Sequence, residues 1–231
     1  MKDSSGAYIV TRSQQRGRQK RSALRPVGVL IATLLILSVI VCVIVFFLTR
    51  ESSASETNAS GFTGKTYYFM YTTECTEKVN AEVAAADAAA RGGAGYVFND
   101  GTYKVVAAVY AREADVKTLV SVNPDSAYFS VTLHAIGENA SAALDYLCGE
   151  WFDTVYLSSS ELDRGNITEA AAEHAVVKAC DKLLSLVGAS GHGGLCRALE
   201  SVSYDFPNKR TVLSSIRYIT AEVIAAVSRL S

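Results

Sequence analysis

The sequence predicts an α+β protein with an N-terminal transmembrane helix, a β-α-β-β-α-β domain and then an α-helical bundle. Three observations predict it: one long uncharged apolar run, a block in which aromatic strands alternate with two helical stretches, and a C-terminal half with helical period only. The apolar run is 27–48, VGVLIATLLILSVIVCVIVFFL, 22 residues without a charge. As a helix it extends about 33 Å, enough to cross a hydrocarbon core of about 30 Å. It is too long for the apolar segment of a signal peptide and ends in Phe46-Phe47-Leu48-Thr49-Arg50, a poor cleavage site, so it reads as an uncleaved anchor. Lys2, Arg12, Arg16, Arg18, Lys20, Arg21 and Arg25 precede it against the single acid Asp3, which places the N-terminus in the cytoplasm and the rest outside a cell membrane crossed once.

The chain therefore divides into a basic cytoplasmic tail (1–26), the span (27–48), a small polar linker (49–65), the β-α-β-β-α-β domain (66–134) and a helical domain (135–231). Residues 49–231 carry 15 basic and 22 acidic residues, a net of −7, which argues against nucleic acid as a partner. Of five cysteines, Cys42 falls in the span, and Cys75, Cys148, Cys180 and Cys196 follow no disulfide framework and no CxxC pattern. They read as buried thiols, with one pair among Cys148, Cys180 and Cys196 as the alternative.

Each element has its own reason. Residues 66–72 (TYYFMYT) are aromatic and read as a strand. Residues 76–91 read as a helix capped by Thr76, with Val79, Val83, Ala86 and Ala90 on one face and Gly92-Gly93 ending it. Strands at 95–98 and 102–109 flank Asn99-Asp100-Gly101, a hairpin signal. A helix at 112–121, a turn at Asn123-Pro124-Asp125 and a strand at 128–133 complete the order. Two helices on one face of a four-stranded antiparallel sheet leave the other face free. If Tyr103, Val105, Ala107 and Val109 point at the helices, Thr102, Lys104, Val106 and Ala108 point away; Tyr67, Phe69 and Tyr71 then face the core and Tyr68, Met70 and Thr72 the open side.

The C-terminal half reads as four helices: 138–157, 166–187 with Asn166 or Thr168 as cap, a short one from 195 to 204, and a last one after Pro207 with Val212, Ile216, Ile219, Val223, Ile224 and Val227 at helical spacing. His192 and Cys196 bracket a Gly-Gly turn and are the nearest thing to a nucleophile–base pair, but no third group orients them. His174 and Cys180, six apart on one helix, point to different sides and make no metal pair. The reading is of a non-enzyme with no cofactor and no metal.

The region 65–134 resembles the SPOR (sporulation-related repeat) domain. The pieces that carry the resemblance are the opening strand Tyr67-Tyr68-Phe69-Met70-Tyr71, the stretch Asn80-Ala81-Glu82 in the following helix, and the strand from Gly101 through Thr102-Tyr103-Lys104-Val105-Val106 to Tyr110. The resemblance implies a ferredoxin-like fold hung from a membrane anchor, bound to peptidoglycan glycan strands at division or sporulation septa. Tyr68, Met70, Thr72, Thr102, Lys104 and Val106 are then the expected glycan contacts on the open sheet face. The chain departs from the family at Met70, where a glutamine is usual, and at Ala108-Val109, in place of glycine-proline. Those departures and the acidic outer portion favour a second reading: a scaffold that contacts other septal or envelope proteins through a degenerate SPOR-like domain and binds no glycan.

Overall fold

The computed structural model describes residues 62–202 and 210–230. The expected membrane span and basic tail lie outside the described residues, among which no helix is long and apolar enough to cross a membrane.

Four antiparallel strands build one sheet: β1 (Lys65–Cys75), β2 (Tyr96–Asn99), β3 (Tyr103–Tyr110) and β4 (Ala127–Leu133), in the order β2-β3-β1-β4. Helix α1 (Lys78–Ala90) joins β1 to β2 and α2 (Glu113–Val122) joins β3 to β4, both against the same face. β1 pairs regularly with β4, Phe69 opposite Phe129, but its pairing with β3 slips twice: Met70 lies opposite Ala108, Tyr71 opposite Val106, and Thr73 opposite Val105. Such bulges insert an unpaired residue and re-aim the side chains beyond it. They break the alternation expected of β3, so Val105 faces α1 while Val106 and Val109 face away from it.

α1 packs through its alanines. Its buried residues are Ala81, Ala85, Ala88 and Ala89, whereas Val79 and Val83 are 67% and 62% exposed. Alanine brings the helix backbone close to the sheet, and Gly95, at φ +60°, is where that closeness is felt: a Cβ there would run into the carbonyl oxygen of Ala85. Thr76 does not cap it; the N-cap position is Glu77, without a side-chain cap bond.

Beyond β4 the chain forms a 3-10 turn (Glu138–Ala140), α3 (Ser141–Tyr146), a π-helical turn (Leu147–Trp151), α4 (Phe152–Asp163), α5 (Glu169–Ser190), α6 (Gly193–Glu200) and α7 (Val212–Ser228). The expected single helix over 138–157 is thus a chain of segments broken by the π turn. There the carbonyl of Cys148 accepts from the Tyr67 hydroxyl of β1 at 3.4 Å, and Phe152 packs on the Tyr67 ring at 4.6 Å. Three helices are capped as side-chain chemistry dictates: Thr168 on α5, His192 on α6 and Thr211 on α7 each accept from the backbone N–H three residues on.

These helices do not stand apart from the sheet. α7 lies on β2, β3 and β4, and is packed from behind by α4, α5 and α6. It is buried on all sides, from Ser214 and Ile216 through Ala221 and Ile224 to Val227. One continuous core joins Tyr67, Phe69, Val106, Val131 and Leu133 of the sheet to Trp151, Leu183, Leu199, Ile219 and Ile224 of the helices. Ala59–Ser231 is a single compact unit, and the expected boundary at 134/135 crosses that core. Even Phe62, expected in the linker, belongs to it, its N–H donating to Ser141 Oγ at 3.2 Å.

Candidate functional site

The sheet face expected to be open is largely covered in this fold. α1 and α2 cover one side, and the other lies under α7, with the π turn and α4 beside it. Tyr67 and Phe69, expected to face α1 and α2, are fully buried against the C-terminal helices instead. The apolar face that alternation revealed is real; its partner is the distant C-terminal half.

The six residues expected to bind glycan are accordingly not brought together. Tyr68 is half-buried on the α2 side, edge-on to Tyr128 with ring centroids 6.2 Å apart. Met70 and Thr72 line a groove between α1 and α2. Thr102 and Lys104 sit at the far end of the sheet and are spoken for: Thr102 Oγ1 donates to Glu74 Oε1 and Lys104 Nζ to Asp100 Oδ2, each at 2.5 Å. The Lys104 ammonium also lies over the rings of Phe129 and Tyr71, at 5.4 and 5.9 Å. Asp100 is held below the usual carboxylate range mainly by its hydrogen bond from Lys104, and Lys104 is raised by the same bond. Val106 is completely buried and touches no solvent. The correction has two physical sources: the bulges, which swap faces along β3, and the terminal helices, which local alternation cannot foresee.

The groove between α1 and α2 has a volume of about 560 Å³. Its floor is the bulged region, Met70, Thr72, Thr73 and Ala108; Arg91 and Arg217 stand at one side, Asn123 and Asp125 at another. Arg217 is already committed, donating to the Gly92 carbonyl at 2.8 Å and to Asp163 at 2.9 Å, so it ties α7 to the end of α1 and to α4.

His192 and Cys196 form no pair. The imidazole Nδ1 accepts from Leu195 N–H at 3.0 Å and Nε2–H donates to the Ile136 carbonyl at 3.1 Å, so both ring nitrogens are used in holding α6 against the end of β4. Cys196 Sγ donates to the Val187 carbonyl at 3.5 Å. Cys75, Cys148, Cys180 and Cys196 are all free, and burial pushes the thiols of Cys148 and Cys180 up to about 11, away from reactive thiolate. Cys42 lies outside the described residues. Among those residues no group of three His, Cys, Asp or Glu side chains converges as a metal site requires.

Val122, Leu157, Val177 and Leu230 are exposed at separate places, whereas the outer side of α1 presents several apolar side chains in a row. Val79, Val83, Ala86 and Ala90 follow one another at helical spacing and all face solvent, with Lys78–Glu82 as a flanking ion pair at 3.3 Å. α1 is thus apolar on two sides and partnered on one. Sequence reasoning found this stripe as one face of the helix, and helical spacing alone does not say which face packs. No protein-family model, no curated protein and no solved structure matches this chain.

Proposed function

We propose that this chain is a membrane-tethered docking module of a bacterial envelope, held outside the cell membrane by the 27–48 helix and acting without catalysis by contact with another envelope protein. The βαββαβ order and the sheet order β2-β3-β1-β4 support a SPOR-like, ferredoxin-like ancestry. The observation that carries the docking reading is the exposed Val79, Val83, Ala86 and Ala90 stripe on a helix whose alanine side is already packed. An amphipathic partner helix laid along it would bury those side chains at the same i, i+4, i+7 spacing. Glycan recognition, the other expectation, has lost most of the sheet face on which it depended.

The test uses the 59–231 unit and the full chain in cells. A photo-crosslinker at Val83 is expected to trap one envelope protein, and Val79→Asp with Val83→Asp to abolish that product without lowering thermal stability. Purified sacculi are expected not to retain the 59–231 unit. Retention on sacculi that the double variant leaves intact would contradict the reading.

A further inference from the structure

The two edges of the sheet are unlike. β2 is four residues long and ends in the Asn99–Gly101 turn, where Asp100 and Lys104 pair. It is protected in the usual ways, by shortness and by charge. β4 has no such protection. It is seven residues, AYFSVTL, with no charge, no proline and no bulge, and its register with β1 is regular throughout. Among the described residues no backbone hydrogen bond reaches its outer edge. A trough of about 750 Å³ runs along Tyr128–Thr132 and on to Phe98 and Asp100, with Glu113 of α2 and Ser228 of α7 at its sides, so the strand borders open space.

We propose that β4 is a dimerisation edge, and that its occupant is β4 of a second copy of this chain, paired antiparallel about a two-fold axis at Ser130. The strand is its own complement. With Ser130 opposite itself, Tyr128 meets Thr132, Phe129 meets Val131, and Ala127 meets Leu133. The first pair lies on the α2 side of the sheet and the others on the α7 side, where Phe129, Val131 and Leu133 already join the core. Like faces like, apolar with apolar and polar with aromatic, as favourable cross-strand pairs require. Two-fold pairing doubles every such contact. Charge does not oppose it. Glu113, the acid nearest the strand, is neutralised by Lys117 at 3.0 Å and accepts from the Tyr128 hydroxyl at 2.9 Å, and Asp100 is paired with Lys104. The pairing joins two four-stranded sheets into one of eight strands and satisfies a row of backbone groups that otherwise only water meets.

Sedimentation of the 59–231 unit tests this independently of the docking reading. The wild type is expected to sediment at twice its sequence mass. Ser130 is exposed, so Ser130→Lys and Ser130→Glu leave the fold intact, which an unchanged thermal melt verifies. Each variant alone is expected to be monomeric, since it sets like charges across the axis, and an equimolar mixture of the two to recover the dimer. Ser130→Cys is expected to form a covalent dimer under oxidation, and Asn99→Cys on the opposite edge none. Val83→Glu is expected to leave the dimer unchanged. A wild type still monomeric at about 1 mM, a dimer untouched by Ser130→Lys, or a mixture that stays monomeric would each overturn the proposal; loss of the dimer in Val83→Glu alone would do so too, by placing the contact on α1.

Discussion

Lys104 shows how one side chain carries two readings. Its place in a Tyr-Lys-Val strand suggests an exposed cation ready for a ligand, yet it is closed in by Asp100, Glu74 and two rings. The depressed Asp100 carboxyl fixes the sign of its pH effect. Its contribution to stability is present above the ordinary Asp range and is lost as pH falls through the lower, folded value. Asp100→Asn is expected to flatten the drop in melting temperature between about pH 5 and pH 3; Asp100 is more than a third exposed and water screens the pair, so the effect is under ~1 kcal/mol. Tyr67 lies at the other extreme. It is fully buried, and burial pushes its phenol well above the ordinary tyrosine range. Tyr67→Phe removes only the bond to the Cys148 carbonyl and is expected to cost about 1 kcal/mol in denaturant unfolding, whereas Tyr67→Ala opens a cavity costing about 3–5 kcal/mol.

At the scale of elements, α1 and β3 mark where the sequence was legible and where it was not. The existence and order of every strand and helix through β4 follow from aromatic runs, Gly-Gly and Asn-Asp-Gly punctuation and helical period. Which side of α1 packs does not, because helical spacing marks a face without saying whether it packs, while the structure selects closeness of approach. Gly95 records that choice: no residue with a Cβ fits between the start of β2 and Ala85. Gly95→Ala is expected to lower stability by at least about 1–3 kcal/mol, since it adds strain at positive φ to the clash, and the melting temperature of the 59–231 unit reads it directly. A Val79→Ala change on the exposed side is expected to stay within about 0.5 kcal/mol. The two bulges between β1 and β3, one on each strand, were equally invisible, for a slip in register leaves no mark on hydropathy alone.

For the molecule as a whole, α7 is the keystone. Its strong apolar period was legible; that it would lie between the sheet and three other helices was not, since a local pattern records that a face is buried and never against what. A helix clothed in core on every side makes sheet and helices one cooperative body. Ile216→Ala or Ile224→Ala is expected to destabilise by about 2–5 kcal/mol, in a single transition seen alike by Trp151 fluorescence and by amide exchange in β1. The fragment 62–134 leaves Tyr67, Phe69, Val106 and Leu133 without cover and is expected to be unfolded or aggregated in isolation. The most direct test of the covered sheet is thiol labelling of Val106→Cys in the 59–231 unit. This thiol is expected to react only as fast as the whole unit unfolds; reaction at the rate of a free surface thiol, in a protein still folded, would show the sheet to be uncovered.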